Sequence, residues 1–284
     1  MAEDLVGWCA AAYPEMRAGG GAAGERPGAA SALLELRGPD GTRWFAKRHA
    51  SRKGYERELA AYRNWVPAIA ARAPRLIRAD DATATLVLTA VPGVLGDEAA
   101  LPPAAERAMH REAGALLRAF HGAAPAVPAS GFADGIARHF DRLRARAAGL
   151  VSARELGFVA DCVAALADGP EPELTPCHRD YTARNWLVDA GRVSVIDFEH
   201  ARIDARVWDF LRLCHQRWPG RQDLREAFLA GYGRELTEAE DTLILRCGAY
   251  NALATVLWAR EAGDRGFERT GRASLALLQG PARP

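Results

Sequence analysis

A short β-hairpin, predicted inside an otherwise helical half of the chain, constrains the fold more than any other feature of the sequence. Its strands are residues 186–188 and 193–196, joined by a short turn. Asp180 and Asn185 precede the first strand, and Asp197 follows the second. Because the strands of a hairpin run antiparallel, all three polar side chains are expected at one end of it.

The residue types at this end of the hairpin indicate metal-assisted chemistry. Asn185 and Asp197 offer hard oxygen ligands, which suit Mg²⁺ because this ion keeps several waters and binds substrate phosphates. Asp180 is left to face the hydroxyl group of an acceptor. The alternative interpretation is that these polar residues only cap a hairpin in an unrelated fold.

The first part of the chain, to about residue 90, alternates short strand-like runs with turns. Residues 32–37 and 42–47 predict a hairpin whose second strand ends on Lys47. Residues 53–65 carry apolar side chains at three- and four-residue spacing, which predicts a helix. A further strand is predicted at residues 84–89.

The pair Pro92-Gly93 then breaks the pattern, and the rest of the chain is mainly helical. Helices are predicted at residues 101–121 and 135–166, and again from the central hairpin to about residue 278. The breaker is therefore the expected hinge between two lobes, residues 1–93 and residues 94–284.

Lysine is rare in this chain, since only Lys47 and Lys53 among the 37 basic residues are lysine. Where composition favours arginine so strongly, a retained lysine indicates a role that needs a compact ammonium group. An ordinary surface lysine on an exposed strand is the alternative for Lys47.

Composition excludes several other classes of protein. The formal net charge of +1 lacks the basic excess of a dedicated nucleic-acid binder. No run of eighteen apolar residues predicts a membrane span, and the acidic start at Glu3 and Asp4 does not resemble a secretory signal, so we expect a cytoplasmic protein. The five cysteines are scattered and form no Cys-x-x-Cys pair, which argues against a disulfide framework or a zinc site.

Residues 178–185 read H-R-D-Y-T-A-R-N and residues 197–199 read D-F-E. This pattern resembles the H-x-D-x-x-x-x-N and D-F-x motifs of the protein-kinase-like superfamily. The resemblance implies an α+β, two-lobed fold with a small antiparallel sheet in the N-lobe and a mainly helical C-lobe. It also implies that Asp180 is the catalytic base or hydroxyl-orienting group and that Asn185 and Asp197 hold Mg²⁺.

The short distance in sequence from Asp197 to Asp209 leaves no room for a protein-kinase activation segment. The chain therefore looks like the aminoglycoside phosphotransferase and choline kinase group. In that group a later aspartate braces the catalytic loop, and Asp209 is the candidate here, with a helix N-terminal aspartate as the alternative. His178 is expected to support the loop through hydrogen bonds, and Arg179 departs from the glycine usual in the group.

The same resemblance implies the nucleotide contacts, with ATP as the expected nucleotide and GTP as a possible one. Lys47 would contact the α- and β-phosphates, paired with Glu58 of the predicted helix. Glu56 is the rival partner, because residues two apart on a helix point in different directions. The adenine would bond to the hinge backbone, which comprises Thr89, Ala90 and Val91.

The phosphate-binding loop is less clear in the sequence. The stretch at residues 19–24 is rich in glycine but departs from G-x-G-x-x-G, and it is interpreted as a flexible entry loop. A cradle between the first two strands is expected nearer residues 27–31, ending on Ser31.

The acceptor is expected to be an aminoglycoside or a related cationic antibiotic, and acidic residues such as Asp161, Glu199 and Asp204 could meet a polycation. A small-metabolite kinase, acting on choline, ethanolamine, homoserine or a sugar, shares every motif. A nucleotide-binding pseudokinase is the third possibility, but such proteins normally lack the lysine, the base or a metal ligand. Either a monomer or a homodimer fits the sequence.

Overall fold

The computed structural model describes residues 2–23 and 31–280. The first part of the chain forms the elements α1 (Ala2–Ala12), β1 (Arg17–Ala23), β2 (Ser31–Arg37), β3 (Arg43–His49), α2 (Arg52–Asn64), β4 (Leu76–Asp80) and β5 (Thr85–Thr89). The strands make one antiparallel sheet in the order β1-β2-β3-β5-β4. The small antiparallel sheet expected from the sequence is thus present.

The hairpin of β2 and β3 sets the position of Lys47. Leu33 lies opposite Lys47 in this hairpin, and Leu86 of β5 lies opposite it on the other side, so the lysine stands on the central strand of the sheet. Alternate residues of β2, including Leu34 and Leu36, are buried against α1. This two-residue period is the one that a strand covered on one face requires.

Helix α2 begins at a serine cap, because the Ser51 hydroxyl accepts a hydrogen bond from the Gly54 N–H at 3.0 Å. Its buried face carries Tyr55, Leu59 and Tyr62, at the three- and four-residue spacing that the sequence predicted. The helix therefore packs an apolar face on the rest of the fold and exposes the opposite one.

The second part of the chain is mainly helical, as expected. Its helices are α3 (Pro103–His121), α4 (Phe132–Ala147), α5 (Ala153–Ala164), α6 (Gln222–Tyr232), α7 (Glu238–Ala262) and α8 (Arg265–Gln279). Its strands are β6 (Val94–Leu95), β7 (Val127–Pro128), β8 (Glu173–Cys177), β9 (Trp186–Asp189), β10 (Arg192–Val195) and β11 (Arg202–Ala205). They form two small sheets, ordered β10-β9-β6 and β11-β8-β7.

The predicted hairpin is the pair β9 and β10, in which Trp186 lies opposite Val195. One further backbone bond, from the Ile196 N–H to the Asn185 carbonyl at 3.0 Å, extends the pairing beyond the strands. This bond holds the polar end of the hairpin closed, where Asp197 follows.

Several local predictions were wrong. The single helix predicted at residues 135–166 is two helices, because Gly149 has a φ of 76° and Ser152 starts α5 with a capping box. The glycine-rich stretch predicted as a flexible entry loop is mostly strand, since β1 reaches Ala23 and pairs with β2. Strand β11 and helix α1 were not predicted.

Helices α3 and α6 approach closely through two glycines, and this contact positions the site. A Cβ added to Gly114 would lie 2.0 Å from the Phe228 carbonyl oxygen, and one added to Gly231 would lie 1.8 Å from the Arg111 carbonyl oxygen. Only a residue without a side chain fits at either place. Helix α3 in turn supports the loop after β8.

Helix α7 is long and apolar enough to cross a membrane by length and composition alone. However, 61% of its most apolar 18-residue window is buried inside the fold. This burial is typical of a core helix, and α7 packs against α5 and α8.

Candidate active site

The loop between β8 and β9 carries residues 178–185 and is held in place by hydrogen bonds to Asp209. The Asp209 carboxylate accepts hydrogen bonds from the backbone N–H of His178 at 2.8 Å and from the N–H of Arg179. It also bonds to the His121 ring at 3.0 Å. Burial would raise the pKa of Asp209, but the hydrogen bond and charge of His121 outweigh burial and lower it. Asp209 thus braces the loop and ends a short 3₁₀ turn rather than starting a helix.

His178 is fully buried and supports its neighbours through hydrogen bonds and ring packing. Its Nδ1 atom accepts the Asp180 backbone N–H at 3.3 Å, which leaves Nε2 to donate to the Ile196 carbonyl at 3.1 Å. The ring packs on Phe198, with centroids 4.9 Å apart. The histidine therefore links the loop to the segment that carries Asp197.

Asn185 and Asp197 meet at the end of the hairpin, as the sequence predicted for their positions. The Asn185 amide nitrogen donates to the Asp180 carbonyl and to its Oδ2 atom, both at 2.9 Å, so the amide oxygen points elsewhere. Asp197 has a φ of 68°, a left-handed conformation that costs energy in a residue other than glycine. This strain is typical of a functional site.

These two residues fit a magnesium ion. In the described parts of the chain, no partner contacts the Asn185 amide oxygen or the second carboxylate oxygen of Asp197. One neutral and one charged oxygen donor is a set that Mg²⁺ accepts when phosphates and waters complete its shell.

Lys47 reaches the same point from the sheet. Its ammonium group lies 2.6 Å from Asp197 Oδ1, 2.8 Å from Glu58 Oε2 and 3.2 Å from Glu199 Oε2. Burial opposes the charged form of this lysine, but the three carboxylates outweigh burial and raise its pKa well above the usual value. Lys47 is therefore a buried, permanently charged ammonium group and not a surface lysine.

Glu58, and not Glu56, contacts Lys47. The Glu58 side chain is 1% exposed, and it also bonds to His49 at 2.6 Å and accepts the Phe198 N–H at 3.3 Å. The Glu56 side chain is 59% exposed and pairs with a neighbouring arginine on the outside of α2. The helix turns the two glutamates to different sides, which resolves the alternative that the sequence left open.

The expected nucleotide contacts at the hinge and at Ser31 are only partly available. The N–H of Thr89 donates to the Arg75 carbonyl at 2.9 Å, and the N–H of Ala90 donates to the Arg43 carbonyl at 3.1 Å. Of the three hinge N–H groups, only that of Val91 has no partner among the described residues. The Val91 N–H is therefore the hinge donor that remains available.

Ser31 begins β2 and donates its hydroxyl hydrogen to Glu199 Oε2 at 2.9 Å. This contact places Ser31 beside the carboxylates around Lys47. The rest of the predicted phosphate cradle, residues 27–30, lies outside the described residues, as does Gly24.

Asp180 lies at the centre of the site and is held by two arginines that the sequence analysis did not identify. Arg184 donates to Oδ2, with its Nε atom at 3.2 Å, and Arg212 donates to Oδ1. Burial would raise the pKa of Asp180, but Arg212 and Arg184 outweigh burial and lower it. The carboxylate is therefore ionised and carries donors on both oxygens.

A family model described as "Phosphotransferase enzyme family" matches residues 26–243 of this chain. The chain belongs to this phosphotransferase family. No curated protein sequence matches it.

Solved structures of aminoglycoside and macrolide kinases share the fold of this phosphotransferase at low identity. The GDP and kanamycin complex of APH(2″)-IIia is 14% identical, with a TM-score of 0.71 over 97% of this chain and 98% of that one. The streptomycin-ATP complex of APH(2″)-IIa is 14% identical, with a TM-score of 0.68 over 97% and 96%. Macrolide 2′-phosphotransferase type I is 18% identical, with a TM-score of 0.67 over 96% of each chain. The kinase-like fold expected from the sequence is confirmed.

The phosphotransferase carries Arg179 where the group usually has glycine, and the backbone explains that preference. Arg179 has a φ of 70°, the left-handed region that glycine adopts freely. Here the arginine is held by an ion pair to Asp204 at 3.3 Å and lies 3.9 Å above the Trp208 ring. Burial lowers the pKa of Arg179 to about 10. The arginine thus occupies a conformation that glycine adopts freely, with its side chain packed between Asp204 and Trp208.

Two histidines that no sequence motif singles out, His49 and His121, support the site. His49 bonds to Glu58, and His121 bonds to Asp209, so each holds a carboxylate that in turn holds a functional element. Nothing in the local sequence distinguishes these histidines. Arg184, by contrast, stands inside the motif four residues after Asp180, a spacing that could have drawn attention to it.

Proposed function

We propose that this phosphotransferase transfers the γ-phosphoryl group of Mg-ATP to a hydroxyl group of a small molecule. The observation that carries the proposal is the convergence of four side chains from separate segments. Lys47 comes from β3, Asp180 and Asn185 from the loop after β8, and Asp197 from the end of β10. Phosphoryl transfer needs positioning and charge neutralisation more than covalent help, and this set provides both.

Each side chain has a defined task in this reaction. Lys47 binds phosphate oxygens of the nucleotide as a point charge. Asn185 and Asp197 would hold Mg²⁺, which neutralises charge on the β- and γ-phosphates when bound. Asp180 accepts the hydrogen bond of the acceptor hydroxyl and takes its proton as the new bond to phosphorus forms. The lowered pKa of Asp180 suits orientation of the hydroxyl more than early removal of its proton.

For the acceptor we propose an aminoglycoside or related cationic antibiotic as the first class to test. The support is the overall likeness to structures solved with kanamycin and streptomycin. The same likeness extends to a macrolide kinase, so macrolides belong in the same test.

A small-metabolite kinase is the second candidate, and one observation favours it. Glu199 and Asp204, two of the acidic residues considered for a polycation, are engaged inside the protein, with Lys47 and Ser31 and with Arg202 and Arg179 respectively. Choline, ethanolamine, homoserine or a sugar needs fewer acidic contacts. The pseudokinase interpretation has less support, because none of the four groups is missing or displaced.

The test is Mg-ATP turnover, followed by coupled ADP release, across aminoglycosides, macrolides, choline, ethanolamine, homoserine and simple sugars. GTP is tested beside ATP, and Asp180→Asn is the background control. Turnover with an antibiotic supports the first acceptor class, and turnover only with a metabolite supports the second. No acceptor-dependent turnover with any compound would argue for the pseudokinase. We further propose a cytoplasmic monomer or homodimer without nucleic-acid or membrane partners, on the composition alone.

A further inference from the structure

Both carboxylate oxygens of Asp180 are occupied by side chains of the protein itself. Arg184 and the Asn185 amide group donate to Oδ2, and Arg212 donates to Oδ1. An acceptor hydroxyl that is to bond to Asp180 needs a free lone pair in the open part of the site. Oδ2 receives both Arg184 and Asn185 and has no lone pair left, whereas Oδ1 receives one donor, so an acceptor hydroxyl can bond to Oδ2 only after one of its donors moves.

The two arginines differ in how firmly they are held. The Arg212 side chain is 22% exposed and lies against α8, with its guanidinium group 5.1 Å from the centre of the Phe267 ring. The Arg184 side chain is 38% exposed and has no such ring contact among residues 2–23 and 31–280, where Asp180 is the only ion-pair partner of each arginine. Arg184 is the donor that can leave at the lower cost.

The charge around the phosphate end of the site indicates where Arg184 would go. Lys47 is one positive charge surrounded by the carboxylates of Asp197, Glu58 and Glu199. Even with a divalent ion bound, this cluster offers little positive charge to a transferring phosphoryl group. Arg184 lies in the loop that also carries Asp180 and Asn185. Under the proposed function Asp180 faces the acceptor hydroxyl and Asn185 faces the metal.

We propose that Arg184 is a further catalytic residue, which leaves Asp180 when the nucleotide binds and donates to the oxygens of the transferring phosphoryl group. Arg212 stays on Oδ1 as a positioning residue. This inference rests on the proposed phosphoryl transfer but not on any particular acceptor. A planar guanidinium group suits the role because it can donate two parallel hydrogen bonds to phosphoryl oxygens.

The reaction balances without a proton from Arg184. A lone pair of the acceptor oxygen forms the new bond to the γ-phosphorus. The bond from that phosphorus to the bridging oxygen breaks, and its electron pair stays on the β-phosphate of ADP. The hydroxyl proton passes to the Asp180 carboxylate. Arg184 stabilises the charge on the three γ-oxygens during the transfer and frees Oδ2 for the hydroxyl.

The test measures binding of Mg-ADP with and without aluminium fluoride, which imitates the transferring phosphoryl group. Calorimetry compares the wild type with Arg184→Ala, Arg184→Lys and a control variant. The control is Arg192→Ala, which removes an exposed arginine of the hairpin that follows Arg184. In Arg184→Ala we expect the aluminium fluoride complex to bind about 100-fold more weakly, since one donor to a transition state is worth roughly that much. The affinity of this variant for Mg-ADP alone should be within about twofold of the wild-type value, because ADP has no γ-phosphoryl group for Arg184 to contact.

Further outcomes separate Arg184 from Arg212 and from general damage. Arg184→Lys should recover only part of the lost affinity for the aluminium fluoride complex. Added guanidinium salts should restore more of that affinity to Arg184→Ala. Arg192→Ala should bind the complex and Mg-ADP as the wild type does. Arg212→Ala should lower kcat with an unchanged KM for ATP, and Arg212→Lys should restore it. Neither Arg212 variant should change the affinity for the aluminium fluoride complex.

Several results would overturn the inference. The first is an Arg184→Ala variant in which the affinity for Mg-ADP falls equally with and without aluminium fluoride. The second is an Arg184→Ala variant that binds the aluminium fluoride complex as tightly as the wild type does. The third is a wild type that binds the complex no more tightly than Mg-ADP alone. If an acceptor is found and Arg184→Ala keeps its kcat/KM, the inference fails while the proposed function stands. If no acceptor is turned over and the complex still depends on Arg184, the inference stands and the acceptor proposal fails.

Discussion

Lys47 and Asp197 are 150 residues apart in the chain, yet their charged atoms lie 2.6 Å from each other. The lysine stands on the central strand of the five-stranded sheet and the aspartate follows a hairpin of the helical part. This ion pair connects the sheet of the first part of the chain with the hairpin of the helical part. Any change in how the two parts approach each other would therefore alter it.

Asp180→Asn should reduce turnover by about 10²- to 10⁴-fold, because an amide cannot accept the hydroxyl proton. Nucleotide affinity should stay close to normal, since under the proposed function Asp180 contacts the acceptor and not the nucleotide. Initial rates and nucleotide titrations provide the measurement, with Asp189→Asn in the exposed hairpin turn as the control. A variant with substantial turnover would show that Asp180 is not the group that orients the hydroxyl.

Lys47→Ala should weaken nucleotide binding and lower kcat together. Under the proposed function the ammonium group neutralises phosphate charge, and its loss also removes the cation that Asp197, Glu58 and Glu199 share. We expect a loss in kcat/KM of at least about 100-fold, or roughly 2.7 kcal/mol at 1.36 kcal/mol per tenfold change. Lys53→Ala is the matched control, because Lys53 is exposed and is the second lysine of the chain. Equal activities of the two variants would contradict the role of Lys47.

Glu58→Gln and Glu56→Gln make a matched pair on one helix. Glu58 is buried against Lys47 and His49, so its neutralisation should lower kcat/KM by about tenfold or more and reduce thermal stability. Glu56 forms an exposed pair with Arg52, which is worth less than about 1 kcal/mol. Kinetics and thermal melting of both variants test the assignment, and a larger defect in Glu56→Gln would reverse it.

Gly231→Ala should destabilise the protein by about 1–3 kcal/mol, the usual cost of overpacking. The added methyl group would lie 1.8 Å from the Arg111 carbonyl oxygen and would push α6 away from α3. Gly135→Ala in α4 is the control, since no atom lies within 4 Å of its added Cβ, and it should raise stability by about 0.5–1 kcal/mol. Chemical denaturation gives both values, and a neutral Gly231→Ala would mean that the helices separate at little cost.

The free energy of unfolding should fall as the pH drops from about 6.5 to about 4, partly through His215. Burial lowers the pKa of His215 from its ordinary value of 6.5 to about 4 in the folded protein. Between pH 6.5 and pH 4 His215 is protonated in the unfolded chain but not in the folded protein, so lowering the pH favours unfolding. The full effect of this one group is about 3 kcal/mol, reached near pH 4.

His215→Gln provides the comparison for that pH dependence. Its unfolding free energy should fall less steeply over the same pH range, whatever its absolute stability at neutral pH. The His215 ring lies against Gly248, where an added Cβ would be 2.2 Å from Cε1, so a substitution larger than histidine is avoided. Parallel slopes for the two proteins would mean that His215 titrates normally in the folded state.

Local pattern was enough to predict the elements that carry the candidate site, although other elements were missed or merged. A two-residue period predicted β2 and β3, a helical period predicted α2, and turn residues predicted the hairpin. A hairpin is closed by neighbouring backbone bonds, so the meeting of Asn185 and Asp197 follows from residues close in the chain. Asp180 was predicted from its place in the H-x-D-x-x-x-x-N motif, which also lies within a few residues of the hairpin.

The partners of these residues come from distant segments, and only the tertiary structure decided them. The rotation of α2 selects Glu58 over Glu56, and the packing of α3 brings His121 to Asp209. Arg212 contacts Asp180 from the segment after Asp209, and no sequence pattern predicts this contact. A periodic pattern records which face of an element is buried, whereas the contact across that face depends on how whole elements pack. The sequence therefore determined the four side chains of the candidate site, and the packing of distant elements determined which residues hold them and shift their pKa values.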